Sequence, residues 1–249
     1  MAERQRGDVA AVKKRRQKSA PINGARALMA SRKERKDSLD FYATPPWATR
    51  ALMDHVFTYL FAPFTTGYFG RTAWEPACGE GHLAEVLREY FKAVRASDIR
   101  DYGYAPMYRC GDFFTTWVGS DGVDWIITNP PYSKAEQFTL RALDLASIGV
   151  AMFVRVQFLE TVGRYERLFK EHPPTLIAFF SERVPIHKGK WKPEGSTATA
   201  YCWLVWVKDR DPLPPYWIPP GCRQRLTKPD DRERFAAWSL PKEMREAAE

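Results

Sequence analysis

Four consecutive residues, Asn129-Pro130-Pro131-Tyr132, carry the strongest chemical signal in the sequence. The Asn129 side-chain oxygen and the Pro130 carbonyl are two neighbouring hydrogen-bond acceptors, and Pro131 brings no backbone N–H to compete for them. Tyr132 adds a flat aromatic face. This combination suits a planar ring with an exocyclic –NH2 group, because the acceptors engage both N–H bonds and direct the nitrogen lone pair at an electrophile. The alternative interpretation is a turn that merely ends a strand.

A glycine-rich turn upstream predicts a site for a nucleoside cofactor. Gly79, Gly81 and Ala84 fit the spacing G-x-G-x-x-G/A, between an apolar strand pattern and a helical pattern. The next predicted strand ends at Asp98, where a carboxylate is placed to accept hydrogen bonds from ribose hydroxyls. The polar and aromatic segment 111–114 follows and suits an adenine ring. The order of these features favours a cofactor site over an ordinary glycine-rich loop.

Over roughly residues 39–208, the sequence resembles the S-adenosylmethionine-dependent amino-methyltransferases, which methylate N6 of adenine or N4 of cytosine in DNA. Their catalytic [DNS]PP[YFW] element matches residues 129–132, and their Thr-Pro element matches Thr44-Pro45. The cofactor motifs precede the catalytic motif, as in one subgroup of that family. The resemblance implies catalysis by Asn129, Pro130, Pro131 and Tyr132. It implies that S-adenosyl-L-methionine is bound by Tyr42, Thr44, Pro45, Glu75, Pro76, Ala77, Cys78, Gly79, Gly81, Asp98, Ile99, Asp112, Phe113 and Asn129.

The activity that this resemblance implies is methyl transfer to N6 of adenine in DNA, after the base has left the helix stack. The choice of adenine over cytosine as the target base rests on the resemblance alone, since both bases carry an exocyclic amine. Three alternatives stay open: an RNA base amine as substrate, a protein glutamine amide as substrate, and a non-catalytic nucleic-acid-binding relative. The expected setting is the cytoplasm of a bacterial or phage-infected cell, in association with the nucleoid.

The positive charge is concentrated at one end of the chain. The 249 residues have a net charge of +8, and residues 1–37 alone hold 12 Lys or Arg against 4 Asp or Glu. This segment has few large apolar residues to bury, so residues 1–38 are predicted to form a basic flexible arm. Such an arm would bind the phosphates of double-stranded DNA, with single-stranded DNA left open. The alternative interpretation is a solubility tail.

Two further segments bear on the partner. The segment 182–197 is predicted to contact nucleic acid, because basic side chains beside an aromatic ring suit phosphates and a stacked base. The residues concerned are Arg183, Lys188, Lys190, Trp191 and Lys192. An ordinary solvated loop is the alternative. Residues 209–249 form a Pro-rich, basic C-terminal extension whose role stays open between a small recognition appendage, a dimer contact and a packed tail. The sequence does not predict an oligomeric state.

Other classes of protein receive no support from the sequence. No apolar stretch approaches the roughly 20 residues that a membrane span needs. No signal peptide is recognised, because the N-terminus is charged throughout. The four cysteines and four histidines are scattered along the chain without metal-ligand spacing. We therefore expect neither a membrane span nor a metal site.

The elements that would position these residues alternate between strands and helices, which predicts a doubly wound α/β sheet. Apolar runs predict strands over 72–76, 93–98, 123–128, 149–156, 176–181 and 198–207, and helical spacing predicts helices over 46–60, 135–146 and 161–170. The resemblance implies a Rossmann-like class I methyltransferase fold. In that fold seven strands form a mostly parallel sheet with a final antiparallel strand.

Overall fold

The structure is a computed structural model that describes residues 41–62, 68, 70–116, 122–189 and 191–236. The described residues belong to one compact unit, Leu39–Glu249. The predicted basic arm at 1–38 and Lys190 lie outside the described residues. Within the described ranges, no helix is long and apolar enough to cross a membrane.

The centre of the protein is an eight-stranded sheet in the order β3-β2-β1-β4-β5-β7-β6-β8. Neighbouring strands are parallel except at β7, which runs antiparallel to β5 and β6. The strands are β1 (Thr72–Glu75), β2 (Ala93–Asp98), β3 (Arg109–Cys110), β4 (Val123–Thr128), β5 (Ala146–Arg155), β6 (Leu176–Phe180), β7 (Tyr201–Val207) and β8 (Tyr216–Ile218).

Helices cover the sheet and are mostly short. A continuous helical run begins with α1 (Pro46–Ala51), passes through a π-helical stretch (Leu52–Phe57) and ends with α2 (Thr58–Phe61). Pro46 suits the first turn of α1, because the N–H that proline lacks has no partner at a helix start. The others are α3 (His82–Leu87), α4 (Ala135–Leu145), α5 (Val162–Arg164), which continues into a π-helical stretch (Tyr165–Phe169), α6 (Cys222–Leu226) and α7 (Asp231–Ala236).

The central strands bury both faces, as expected for a parallel sheet covered by helices on each side. On β4, Trp125 and Ile127 pack in one core cluster with the helical run 46–61. Ile126, between them, packs in a second cluster with Phe138 of α4. The near-continuous apolar sequences of β4 and β5 therefore pack into two core clusters, one on each face of the sheet. This packing fixes the ends of the strands, where Asn129 and Arg155 lie.

The α/β class and the mostly parallel sheet are confirmed, but the expected number of seven strands is wrong. Beyond the six strands that the apolar runs predict, the structure has β3, with two residues, and β8, with three, and neither is long enough to give a periodic pattern. The antiparallel strand is confirmed as β7, although β8 follows it along the chain. β5 begins at Ala146, three residues before the predicted start, because Ala146 already pairs with Val123 of β4.

The C-terminal extension belongs to the same unit as the sheet. β8 pairs in parallel with β6, and the helices α6 and α7 contact the helical run 46–61 through Arg50. The Arg50 guanidinium is 2% exposed and binds the Asp231 carboxylate with two hydrogen bonds of 2.6 and 2.7 Å. Its remaining N–H groups reach Glu89 at 2.9 Å and the Leu226 carbonyl at 2.7 Å. Of the three roles left open for residues 209–249, the described part matches a packed tail.

Candidate active site

The predicted site residues meet at one edge of the sheet. The carboxyl ends of the parallel strands β1, β2 and β4 lie at this edge, and they lead into the residues that follow Glu75, Asp98 and Thr128. Open α/β sheets bind their ligands outside the carboxyl ends of their strands. The antiparallel β7 begins at the same edge, since Tyr201 pairs with Arg155 at the end of β5.

The turn between β1 and α3 has the backbone conformation that its glycines predict. Gly79 and Gly81 have φ angles of +52° and +82°, in the left-handed backbone region that residues other than glycine rarely adopt. A Cβ atom at Gly79 would overlap the ring of Phe41, and one at Gly81 would overlap the ring of Tyr104. Both positions therefore require glycine for conformation and for space.

Asp98 holds this turn in place from the end of β2. Its carboxylate accepts hydrogen bonds from the backbone N–H of Gly79 at 2.9 Å and of Arg100 at 3.1 Å. Burial raises the pKa of Asp98 above its usual value, although these backbone donors oppose the shift. Ile99, the next residue, is 52% exposed and leaves an apolar surface beside the carboxylate. A polar acceptor next to an apolar platform suits a nucleoside.

A small pocket lies beneath the glycine turn. Its lining contains the predicted residues Tyr42, Thr44, Glu75, Ala77, Cys78 and Asn129, together with Phe41, Ala43, His82 and Leu83. Glu75 is 2% exposed, and its Oε2 atom has no hydrogen-bond partner. A buried carboxyl oxygen without a partner is rare, because removing it from water is costly unless a donor replaces the water. The pocket thus offers an unsatisfied acceptor to a ligand donor.

The ionisation of the groups around this pocket follows from their burial. Burial and the charge of Asp98 raise the pKa of Glu75 well above its usual value, while the Ala84 backbone N–H opposes the shift. Burial also raises the pKa of the Cys78 thiol and lowers the pKa of His82 to about 4. At neutral pH, Cys78 is therefore a thiol and His82 a neutral imidazole. A cation entering the pocket would favour the ionised form of Glu75.

Asn129 lies directly after β4 and turns its amide N–H2 group toward the segment that carries the Thr-Pro element. Its Nδ2 atom donates to the Tyr42 carbonyl at 2.9 Å and to Thr44 Oγ1 at 3.1 Å. Because the carbonyl can only accept, this contact fixes the orientation of the amide. The Oδ1 atom is therefore the acceptor end of the amide. The structure therefore joins two predicted elements that are 85 residues apart in the chain.

Tyr132 stands at the start of a short 3-10 turn and makes contacts that the sequence did not predict. The Arg155 guanidinium carbon lies 3.8 Å from the centre of the Tyr132 ring, a cation–π contact. The Tyr132 hydroxyl is 3.1 Å from the hydroxyl of Tyr201, and the ring of Tyr42 is 4.7 Å away. Arg155 was missed because it closes an apolar strand, and its position beside Tyr132 depends on the register of β5 against β4.

The loop that precedes β7 reaches this edge as predicted. Lys188 forms an isolated antiparallel bridge with Tyr42, and the Gly189 N–H donates to the Phe41 carbonyl at 3.0 Å. Lys188, Arg183 and Lys192 are exposed. Trp191 is half-buried, and its ring makes a T-shaped contact with the ring of Phe235 of α7, with centroids 6.0 Å apart. The loop therefore brings Lys188 next to a segment that lines the pocket, while its tryptophan contacts the C-terminal helix.

Eight of the fourteen predicted cofactor residues lie outside the lining of this pocket, namely Pro45, Pro76, Gly79, Gly81, Asp98, Ile99, Asp112 and Phe113. Phe113 is 2% exposed and packs in the core, 5.1 Å from the ring of Trp74 and 4.8 Å from that of Phe138. Asp112 uses a carboxylate oxygen to accept from the Phe114 backbone N–H at 3.0 Å. The apolar pattern of residues 113–114 did not distinguish a core ring from a ligand contact. Among the residues described, no group of three or more His, Cys, Asp or Glu side chains could hold a metal ion.

The comparison with known proteins gives the fold. The sequence matches no protein-family model and no functionally curated protein. A type I restriction-modification methyltransferase subunit from Streptococcus thermophilus superposes with a TM-score of 0.52 at 12% identity, covering 70% of this chain and 46% of that one. The present chain thus spans about half the length of that subunit.

Two further structures have the same architecture. A candidate class I S-adenosylmethionine-dependent methyltransferase from Listeria monocytogenes gives a TM-score of 0.50 at 13% identity, over 79% of this chain and 72% of that one. A candidate RNA methyltransferase from Pyrococcus horikoshii gives a TM-score of 0.52 at 18% identity, over 70% of this chain and 90% of that one. The chain therefore has the Rossmann-like fold of class I methyltransferases.

Proposed function

We propose that this protein transfers the methyl group of S-adenosyl-L-methionine to the exocyclic N6 amine of adenine in DNA. The observation on which the proposal rests is the hydrogen bonding of the Asn129 amide. Its N–H2 group is used by Tyr42 and Thr44, so its oxygen points away from them as a fixed acceptor beside Tyr132 and the pocket under the glycine turn. An acceptor held in this way is suited to an amine and not to a hydroxyl nucleophile that needs a general base.

The residues of the pocket fit the cofactor. The buried Glu75 oxygen that lacks a partner suits the ammonium group of the amino-acid part. Asp98 suits the ribose hydroxyls, because its carboxylate keeps lone pairs beyond those used by the two backbone donors. Ile99 offers its exposed apolar side chain to the adenine ring. The Thr-Pro element at Thr44 forms part of the same pocket lining.

Catalysis then depends on orientation. Asn129 Oδ1 and the Pro130 carbonyl accept the two N–H bonds of the target amine, so that its lone pair points into the pocket, and Tyr132 supports the plane of the base. When bound, the cofactor would supply an electrophilic methyl carbon. The amine nitrogen held by Asn129 and Pro130 would form the new bond as the carbon–sulfur bond breaks with its electron pair left on sulfur, and the amine would lose a proton to solvent. Holding two reactants in this geometry supplies much of the acceleration, on the order of 7–11 kcal/mol in favourable systems.

The DNA contact uses the basic side chains near this edge. Arg183, Lys188 and Lys192 are exposed and, with Lys190 and the N-terminal arm, are proposed to bind phosphates. Moving a base out of the stack costs a few kcal/mol, which backbone contacts and stacking offset. Trp191 acts in this scheme as a support for the loop, because its ring packs against Phe235.

The test is to identify the methylated product. Purified protein is incubated with cofactor carrying a labelled methyl group and with separate pools of duplex DNA, single-stranded DNA, RNA and protein. The products are digested and analysed by mass spectrometry. We expect N6-methyladenine from DNA. N4-methylcytosine, a methylated RNA base or methylglutamine would each replace the proposed substrate, and no product from any pool would refute the transfer reaction.

A variant at the acceptor provides the matched control. Asn129→Ala removes the fixed oxygen, so we expect turnover to fall by about a hundredfold to a thousandfold while the cofactor dissociation constant changes by less than about tenfold, because electrostatic positioning acts mainly on the reacting groups. Full activity in Asn129→Ala would contradict the mechanism even if the product were N6-methyladenine.

A further inference from the structure

His82 is a buried polar residue for which the scheme above gives no role. It is the first residue of α3, directly after the glycine turn, and it is 2% exposed. Neither of its ring nitrogens has a hydrogen-bond partner. A buried donor without a partner costs about 1–3 kcal/mol. Such a cost in a folded protein is explained when a ligand supplies the missing partner.

The position of the His82 ring gives the ligand's place. His82 lines the pocket that also contains Glu75 and Asn129. On its other side, the ring of Phe235 stacks on it with centroids 5.5 Å apart and an interplanar angle of 19°. Phe235 is fully buried on α7, and α7 is anchored by the contact between Asp231 and Arg50. The imidazole is therefore held between the C-terminal helix and the pocket.

An amino-acid group in this pocket would need an acceptor for its ammonium and a donor for its carboxylate. Glu75 supplies an acceptor without a partner, which suits an ammonium group, and an amino acid carries a carboxylate beside its ammonium. That carboxylate requires donors. Thr44 Oγ1 already accepts from Asn129, and the Cys78 thiol lies 3.7 Å from the Gly79 carbonyl. A neutral imidazole keeps one N–H to donate, and His82 offers it without a competing partner.

We propose that His82 is a cofactor-binding residue that donates an N–H hydrogen bond to the carboxylate of the amino-acid part of S-adenosylmethionine, while Glu75 accepts from the ammonium. The inference rests on the cofactor of the proposed function and is independent of the nucleic-acid substrate. Phe235 acts as a positioning residue, because it fixes the plane of the imidazole.

The test compares two cofactors on two proteins. Isothermal titration calorimetry gives the dissociation constants of S-adenosylmethionine and of decarboxylated S-adenosylmethionine for the wild type and for His82→Phe. His82→Phe keeps an aromatic ring to stack on Phe235 and removes the N–H. A hydrogen bond to a charged group contributes about 1.5–3 kcal/mol, so we expect the substitution to weaken S-adenosylmethionine binding by about tenfold or more. Binding of the decarboxylated analogue should change by less than about threefold.

The ratio of the two dissociation constants decides the question. It is measured on the same sample, so it does not depend on how much of the variant is folded. His82→Gln, which keeps an N–H donor, should recover part of the lost preference for the carboxylate. An unchanged ratio in His82→Phe would overturn the inference while leaving the cofactor assignment intact. A wild type that binds neither compound would overturn both.

Discussion

The buried contact between Arg50 and Asp231 predicts that the C-terminal helices contribute strongly to stability. Asp231 is fully buried and takes both Nη atoms of Arg50, at 2.6 and 2.7 Å. The substitution Asp231→Asn keeps the shape of the side chain, removes its charge and turns an N–H2 group toward the guanidinium. Arg50 would then be a buried cation that has lost one of its two carboxylate partners.

The size of the effect follows from that loss. Breaking a buried ion pair by changing one partner costs about 3–5 kcal/mol. Glu89 still binds Arg50 at 2.9 Å on two atoms and is 15% exposed, so part of the charge remains compensated. We therefore expect Asp231→Asn to lower the free energy of unfolding by about 3 kcal/mol. Because the pair is shielded from solvent, added salt should change this difference little.

The assay is chemical denaturation of the wild type and of two variants. Asp230→Asn is the matched control, since Asp230 is the exposed neighbour at the start of the same helical turn. A change at such a position usually alters stability by less than about 0.5 kcal/mol. The reasoning is refuted if Asp231→Asn and Asp230→Asn have the same denaturation midpoint.

The same cluster sets a pH dependence. Burial would raise the pKa of Glu89, but hydrogen bonds from Arg50 and Lys228 outweigh it and lower that pKa to about 2. A carboxyl group with a depressed pKa in the folded state stabilises the protein above its unfolded pKa, and this stabilisation is lost as the pH falls toward the folded value. The free energy of unfolding should therefore decrease between about pH 4.5 and pH 2, and Glu89→Gln should flatten that part of the profile.

Three further predictions concern the site. Gly81→Ala should lower the free energy of unfolding by about 1–3 kcal/mol, since the φ angle of +82° strains alanine and its Cβ would meet the Tyr104 ring; thermal denaturation measures this. Arg155→Leu removes the cation–π contact with Tyr132 and should lower kcat/KM about tenfold, for a contact of about 1–2 kcal/mol, with the cofactor affinity unchanged in calorimetry. Burial raises the pKa of Glu75, and an ammonium group beside it would lower that pKa, so cofactor binding at a pH between the two values should release a proton, detected as a binding enthalpy that varies with the ionisation enthalpy of the buffer.

Local patterns in the sequence were sufficient to predict the strands and the glycine turn that position the site residues. The apolar run before Asn129 predicts β4 and hence places the amide at the sheet edge. The spacing of Gly79 and Gly81 predicts a turn, and its φ angles confirm that turn. Asp98 ends β2, as the strand pattern requires. These residues could be located because each is tied to an element by its neighbours in the chain.

Contacts between distant segments could not be predicted in the same way. His82 and Phe235 are 153 positions apart in the sequence and meet only because α7 packs next to the start of α3. Arg50 resembles any helical arginine until Asp231 is placed beside it. Phe113 was predicted to bind the cofactor, and its ring packs in the core next to Trp74; an apolar ring suits either environment. Which of the two it adopts is decided by packing and not by local sequence.

The hydrogen bonds of Asn129 restrict which side chain can stand at that position. One end of the amide must donate, because the Tyr42 carbonyl 2.9 Å away offers only lone pairs, and the other end must accept. An aspartate at 129 would have no proton to give at neutral pH, so the hydrogen bond to the Tyr42 carbonyl would be lost. The asymmetry of a carboxamide thus allows a single residue to donate to the Tyr42 segment at one end and to keep an acceptor oxygen at the other.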